Sequence, residues 1–485
     1  MHNRTDTTFS GPELCRLDAH QVVELLRRKE ISSEELLNAA FTRIKEVEPA
    51  VNAIPTLCEE RARKSAREWD SAGRGNPDDP GWLGGLPIGI KDLTPVAGVR
   101  TTFGTKGLAD FVPEKSDPLV ETLEKRGGMV IGKTNTPECG AGGNTFNEVF
   151  GKTRNPWNTE RNAGGSSGGS AVALATGEVW LSHGSDLAGS LRTPAAYCGV
   201  VGFRPSPGVA GGGPAEVGFH TEGVQGAMAR NVMDCALFLD AMSGFDASSP
   251  ISFPAPNTPF QEAVKQAQPN VRIAYSPTLK EFAPVSAETD QILRNALQVV
   301  ENAGATVEED CPDLPNLGSC YRILRAMLWA VGPGRAPQSV QKHYKKTLAD
   351  NIEIGRQLNI DDVYDAQIAR TVIYHNMRRF LTIFDVLACP TVSLEPGPVV
   401  VEYPTEIDGK PVTDYIDWLK FSFLSTTAGL PAVSVPAGFT KSGLPVGLQL
   451  IGPPRGEAKL LAVARTIELV LGTAMTPIDP IIRHQ

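Results

Sequence analysis

The chain has 485 residues, 41% of them hydrophobic and 21% charged, with a formal net charge of −9. That length holds one large domain or two to three ordinary ones, and the composition is that of an ordinary globular protein able to bury a sizeable core. The acidic balance excludes nucleic acid and anionic membrane as main partners, since both reward clustered Lys and Arg. Eight cysteines are scattered without a CxxC pair, which reads as reduced thiols and not as a disulfide framework or zinc site. The first residues, MHNRTDTTFSGPEL, show no apolar signal-peptide core, and no apolar run reaches the ~18 residues of a membrane span. The expectation is a cytoplasmic enzyme.

In chain order, residues 17–49 read as two amphipathic helices. The second opens on a capping box, Ser32-x-x-Glu35, and carries Leu36, Leu37, Ala40 and Ile44 at helical spacing. A charged helix near 59–70 precedes a turn-rich surface loop, SAGRGNPDDPGWLGG. LPIGIKDL (86–93) then reads as a short buried strand with one cation at its end, PLVETLEKRGG as a helix with a glycine stop, and MVIGKTN as a second buried strand. Helices alternating with short apolar strands indicate an α/β core. Residues 311–380 break that pattern with long helical stretches, read as cover over one side of the core. Strands return with DVLACPTVSL, GLPAVSVPAGF and GLPVGLQLIG, and an amphipathic helix follows at about 457–471. Core strands thus come from both ends of the chain, which speaks against a two-domain cut.

Several short motifs are decoys. Gly127-x-x-x-x-Gly132-Lys133-Thr134 matches the phosphate-loop spacing, but its middle, Met129-Val130-Ile131, is a buried strand where a flexible loop is needed. Gly164-x-Ser166-x-Gly168 matches the nucleophile elbow of α/β-hydrolases without the apolar strand the elbow requires, and His220, His343, His375 and His484 sit in uninformative contexts. Ser339-x-x-Lys342 reads as a solvated face, and Cys139 beside Glu138 as a packed thiol.

Two Gly/Ser clusters, Gly164–Ser170 and Gly184–Ser190, bracket a small-residue apolar stretch and make sense together. Attack on an amide carbonyl needs a nucleophile, a base and donors for the developing oxyanion. Ser190 follows Leu187-Ala188-Gly189, whose backbone N–H groups are natural oxyanion donors. A lysine buried until it is neutral can act as base, and Lys91, ending the apolar strand LPIGI, is the outstanding candidate.

LPIGIKD, GGSSGGS, GSDLAGSLRTPAAYCGVVGFRP and GLPAVSVPAGF…GLPVGLQLIG together resemble the amidase signature family, over nearly the whole chain and most weakly over about 205–380. In that family a bridging serine lies 24 residues before the nucleophile, the separation of Ser166 and Ser190. The resemblance implies Ser190 as nucleophile, Ser166 as bridging serine on a cis peptide after Gly165, and Lys91 as base, without metal or cofactor. It also implies a single large domain, 1–485, whose central mixed twisted β-sheet is covered by helices on both sides. The N-terminal helices of 1–70 would pack on the core, and 311–380 would lie near the substrate entrance. Ala188-Gly189 replaces the usual pair of glycines. Asp186 and Arg192 read as a structural ion pair, with Ser167 and Thr193 as supporting hydroxyls. The small residues Cys139, Gly140, Ala141, Gly142 and Gly143 are expected to wall the substrate pocket, with the two long helices and the run 395–412 at its mouth.

The implied reaction is cleavage of a carboxamide C–N bond through an acyl-Ser190 intermediate, in a monomer or homodimer acting on small molecules. A looser resemblance to bacterial urethanases adds carbamates. One alternative is the glutaminase component of a tRNA-dependent amidotransferase, although residues 208–230, GVAGGGPAEVGFHTEGVQGAMAR, depart from that branch's pattern. Another, a non-catalytic binding protein, is at odds with the intact Lys91, Ser166 and Ser190 set.

Overall fold

A computed structural model describes residues 7–72, 75–212 and 217–484. Met1–Asp6, residues 73–74 of the turn-rich loop and residues 213–216 of the stretch 208–230 lie outside the described residues.

The N-terminal segment forms α1 (Ala19–Arg27), α2 (Ser33–Val51) and α3 (Glu59–Ala72). The capping box is made in both directions: Ser32 Oγ accepts the Glu35 N–H at 3.2 Å, and Glu35 Oε2 accepts the Ser32 N–H at 2.8 Å. Two orphan donors are thereby satisfied, which fixes where α2 begins. Its Leu36, Leu37, Ala40 and Ile44 are buried.

Eleven strands build the main sheet: β1 (Thr56–Leu57), β2 (Leu86–Lys91), β3 (Gly128–Thr134), β4 (Leu181–Asp186), β5 (Val201–Arg204), β6 (Val224–Ala229), β7 (Arg272–Tyr275), β8 (Thr306–Glu309), β9 (Val386–Pro390), β10 (Ala432–Phe439) and β11 (Pro445–Ile451). Their spatial order is β1-β3-β2-β4-β6-β5-β10-β11-β9-β7-β8. β2 runs parallel to β3 and β4, β9 to β7, and β7 to β8, whereas the strands from β4 through β9 pair antiparallel. β2, β3, β9 and β11 are buried at every residue. Successive side chains point to opposite faces, so continuous burial means that both faces are covered.

The cover comes from α4 (Pro118–Lys125), α5 (Gly168–Thr176), α6 (Arg192–Cys198), α7 (Val232–Met242), α8 (Ala287–Asn302), α9 (Leu317–Val331), α10 (Lys346–Arg356), α11 (Ile360–Phe380) and α12 (Glu457–Leu471). The helical stretch read from the sequence is α9–α11. Here α9 packs on both α10 and α11, and Tyr321 of α9 stacks on Phe423 with ring centroids 3.7 Å apart. No described helix is long and apolar enough to cross a membrane.

Candidate active site

Lys91 is the last residue of β2, held between β3 and β4 where no water reaches it; the side chain is fully buried. Its Nζ lies 2.6 Å from Ser166 Oγ, 2.8 Å from Ser167 Oγ and 3.0 Å from Ser185 Oγ. Burial pushes the Lys91 amine down from an ordinary 10.5 to about 7, offset only in part by the Asp186 carboxylate. An amine in that range is substantially neutral near pH 7, with a lone pair facing hydroxyl groups. Ser185, one residue before Asp186 on β4, was not singled out by the sequence. Alternation along β4 puts Ser182 and Gly184 on the Lys91 face, so no local pattern marks Ser185.

Asp92, next to the lysine, is turned the other way. It accepts the Thr102 hydroxyl at 2.5 Å and the Thr102 N–H at 3.1 Å, and lies 3.5 Å from Lys133 Nζ. Lys133 also donates to Thr94 O at 2.7 Å and Thr101 Oγ1 at 2.8 Å. The lysine of the phosphate-loop look-alike is thus tied into the core from a fully buried strand.

The two Gly/Ser clusters converge beside Lys91. The Gly165–Ser166 peptide is cis and Gly164 has φ +77°. A Cβ on Gly165 would stand 2.8 Å from Gly142 O, so only glycine fits there. The Ser167 N–H donates to Ser190 O at 3.1 Å, joining one cluster to the other. Beyond β4 the loop 187–191 wraps around Asp186. Arg192 grips this carboxylate through Nε at 3.0 Å and Nη2 at 2.9 Å, Arg204 Nη1 lies 3.3 Å away, and the N–H groups of Gly189 and Leu191 donate to it at 3.0 and 3.1 Å. Burial pushes the Asp186 carboxyl up, but the Arg192 and Arg204 guanidiniums together hold it far below the usual carboxylate range. Asp186 and Arg192 therefore hold the loop. Thr193 supports the same turn: its N–H donates to Gly189 O at 2.7 Å.

This geometry corrects one expectation. The Gly189 N–H is committed to Asp186 Oδ1, so it is not free to meet an oxyanion. The N–H groups of Leu187 and Ala188 make no hydrogen bond to the described residues. Ala188 lies outside the positive-φ residues and belongs to an apolar cluster with Tyr197, Tyr321 and Phe423. Its methyl group is accommodated without strain.

Ser166 and Ser190, 2% and 6% exposed, line one cavity of about 280 Å³ together with Ser185 and Leu187. The described hydrogen bonds link Lys91 to Ser166 and leave Ser190 Oγ without a protein partner. A second, largely apolar cavity of about 650 Å³ adjoins it, sharing Leu93, Cys139, Leu187, His220, Gly223 and Trp329. Phe103, Leu108, Leu328, Val340 and Tyr344 continue its wall.

Of the expected pocket wall, Cys139 and Gly140 line the cavity, whereas Ala141, Gly142 and Gly143 do not. Ala141 is fully buried against the cluster of Trp329, Leu348 and Ile352. Gly142 backs the serine loop through its carbonyl, and a Cβ on Gly143 would stand 2.3 Å from the Trp418 indole. At Ala141 and Gly143 the small side chain permits close packing and leaves no open space. The mouth is likewise made by the end of α9 and the turns up to Tyr344, without α11 or the run 395–412. Trp329 and Tyr344 carry no mark in the sequence, and His220 stands out there only as a histidine, because no local pattern marks a wall assembled from distant segments.

Other side chains able to act as nucleophile or base stand apart from the lysine and serine arrangement. The Cys139 thiol is pushed up to about 12 by burial, far from a thiolate. His183 is fully buried with Nε2 2.6 Å from Gln225 Oε1, and burial pulls it down to about 3. His343 and His375 are exposed. Among the described residues no three His, Cys, Asp or Glu side chains come together as ligands for a metal ion.

The Amidase family pattern matches residues 35–461. An acylamidase of Rhodococcus erythropolis is 34% identical over 94% of this chain and 95% of its own. A glutamyl-tRNA(Gln) amidotransferase subunit of Moorella thermoacetica is 35% identical over 94% and 97%. The crystal structure of a bacterial aryl acylamidase of the amidase signature family superimposes with a TM-score of 0.86 at 27% identity, over 94% of this chain and 96% of that one. With a match that runs through both serine clusters, the lysine strand and the closing strands of the sheet, the chain belongs to the amidase signature family and is an amide-hydrolysing enzyme.

Proposed function

We propose that the enzyme cleaves the C–N bond of small-molecule amides bearing an apolar or aryl group, through an ester of the acyl group with Ser190. The observation that carries this reading is the buried Lys91 amine, held near neutrality and 2.6 Å from Ser166 Oγ, beside a cavity shared by Ser166 and Ser190. Neutral Lys91 takes the Ser166 proton as Ser166 takes that of Ser190, and Ser190 Oγ adds to the carbonyl carbon. The oxyanion is met by the N–H groups of Leu187 and Ala188, prealigned by the Asp186 clasp. Collapse breaks the C–N bond, the relayed proton leaves with the amine, and water hydrolyses the ester by the same relay in reverse. An O-alkyl N-aryl carbamate fits the same sequence, yielding arylamine, alcohol and carbon dioxide.

The apolar wall of Phe103, Leu108, Leu328 and Trp329 supports an aryl or alkyl substituent over the charged ends of a free amino acid. The acylamidase relatives support the same class. A second reading, glutaminase chemistry within a larger assembly, rests on the similarity to the amidotransferase of Moorella thermoacetica. The test is a panel of aryl amides, aryl carbamates, short aliphatic amides and glutamine offered to the chain alone. Release of arylamine is expected. Hydrolysis of glutamine with no turnover of any aryl substrate would favour the second reading.

A further inference from the structure

Helix α11 carries two apolar stripes where a surface helix ordinarily has one. Ala366, Ile373, Met377 and Phe380 are buried. On the other side Ile360, Tyr364, Ile368 and Val372 are 67%, 61%, 63% and 42% exposed. Side chains four apart are neighbours on a helix, so these form one continuous ridge ~18 Å long. The remaining exposed large apolar residues are scattered over the surface and show no such row. Isolated exposed apolar side chains are ordinary, but a contiguous row calls for a partner.

The charges beside the ridge indicate which partner. Exposed Asp361 and Asp365 lie in its N-terminal half, with His375, Arg378 and Arg379 in its C-terminal half. None of the five forms an ion pair among the described residues. Within one helix Asp361 and Arg379 stand ~27 Å apart and cannot meet. Arg370 does not compete for the acidic end, since it turns inward to Glu222 at 2.8 Å and Thr221 Oγ1 at 2.7 Å.

We infer that α11 is the face on which a second copy of this chain docks, the two helices antiparallel about a two-fold axis near residue 370. In that register Ile368 meets the partner's Val372, Asp361 meets the partner's Arg379 and Asp365 meets the partner's His375. Each contact occurs twice, as an isologous interface requires. A helix pair is small beside the ~800 Å² per partner of a standard interface. Association is therefore concentration-dependent and weakened by salt.

Sedimentation velocity of the full chain in low salt, from micromolar to high-micromolar concentration, tests this. A species of twice the 51.9 kDa chain mass should grow with concentration. Ile368→Asp, or Val372→Asp as a second variant, should abolish it without changing the circular dichroism spectrum. Register is tested by charge exchange: the Asp361→Arg/Asp365→Arg variant and the Arg378→Asp/Arg379→Asp variant should each stay monomeric, and their mixture should restore the dimer. A wild type that is monomeric throughout overturns the inference. So does a dimer that survives Ile368→Asp, or a monomer that binds only detergent micelles or lipid vesicles.

Discussion

Replacing Lys91 by methionine separates the electrostatic cost of the proposed base from every other role it plays. Methionine fills similar volume and carries no proton. In the folded enzyme the Lys91 amine titrates at about 7, against 10.5 in the ordinary state. Between those values the unfolded chain holds one more proton than the folded one, so the lysine's contribution to stability rises with pH through that window. Below about pH 7 both states are protonated and the full cost, about 5 kcal/mol, stands; above about pH 10.5 it is gone. Methionine also leaves the Ser166, Ser167 and Ser185 hydroxyls without the amine, an opposing loss of ~1–3 kcal/mol for each hydroxyl that finds no new partner, which does not vary with pH. The slope is therefore the cleaner readout. Between about pH 7 and about pH 9 the wild type should gain about 2 kcal/mol relative to Lys91→Met. Paired urea titrations at the two pH values measure this, provided the m-values match. A stability difference that does not move with pH, or that moves in favour of the variant, would refute the claim that Lys91 is buried as a neutral amine.

Three further outcomes are expected. The kcat/KM of the wild type should rise with pH through one ionisation near 7 and level off on the alkaline side, while Lys91→Arg, whose guanidinium keeps its proton, should be inactive across the range. Asp186→Asn strips the buried Arg192 and Arg204 of their counter-charge and should cost ~3–5 kcal/mol of stability, read as a fall in Tm by calorimetry. Trp329→Ala opens the wall shared by both cavities and should raise KM for aryl amides more than it lowers kcat; equal effects on aryl and short aliphatic amides would place the aryl group elsewhere.

What could be read from the sequence follows how locally each feature is encoded. The capping box of α2, the buried strand ending in Lys91 and the two Gly/Ser clusters are contiguous stretches whose residue types leave few alternatives, and the structure brings the clusters together beside the lysine. Features that depend on tertiary context are the ones misread or missed. Gly143 looks like open space in a sequence, yet the Trp418 ring presses against it. The Gly189 N–H looks like an oxyanion donor until Asp186 is seen to claim it. The run 395–412 suggests a mouth because Pro and Gly mark a loop, but composition does not say which loop faces the cavity. Leu328, Trp329 and Tyr344 do, carried there by the packing of α9 against α10.

The most direct test of the account is to find which atom carries the acyl group. The enzyme would be treated with a serine-directed fluorophosphonate, or quenched during turnover of a slow aryl carbamate, then digested and mapped by mass spectrometry. The account predicts a single covalent adduct on Ser190, absent from Ser190→Ala and formed much more slowly in Ser166→Ala and Lys91→Ala, because the three act as a unit. An adduct on Ser166, Ser185 or Cys139, or undiminished labelling and turnover in Ser190→Ala, would contradict it.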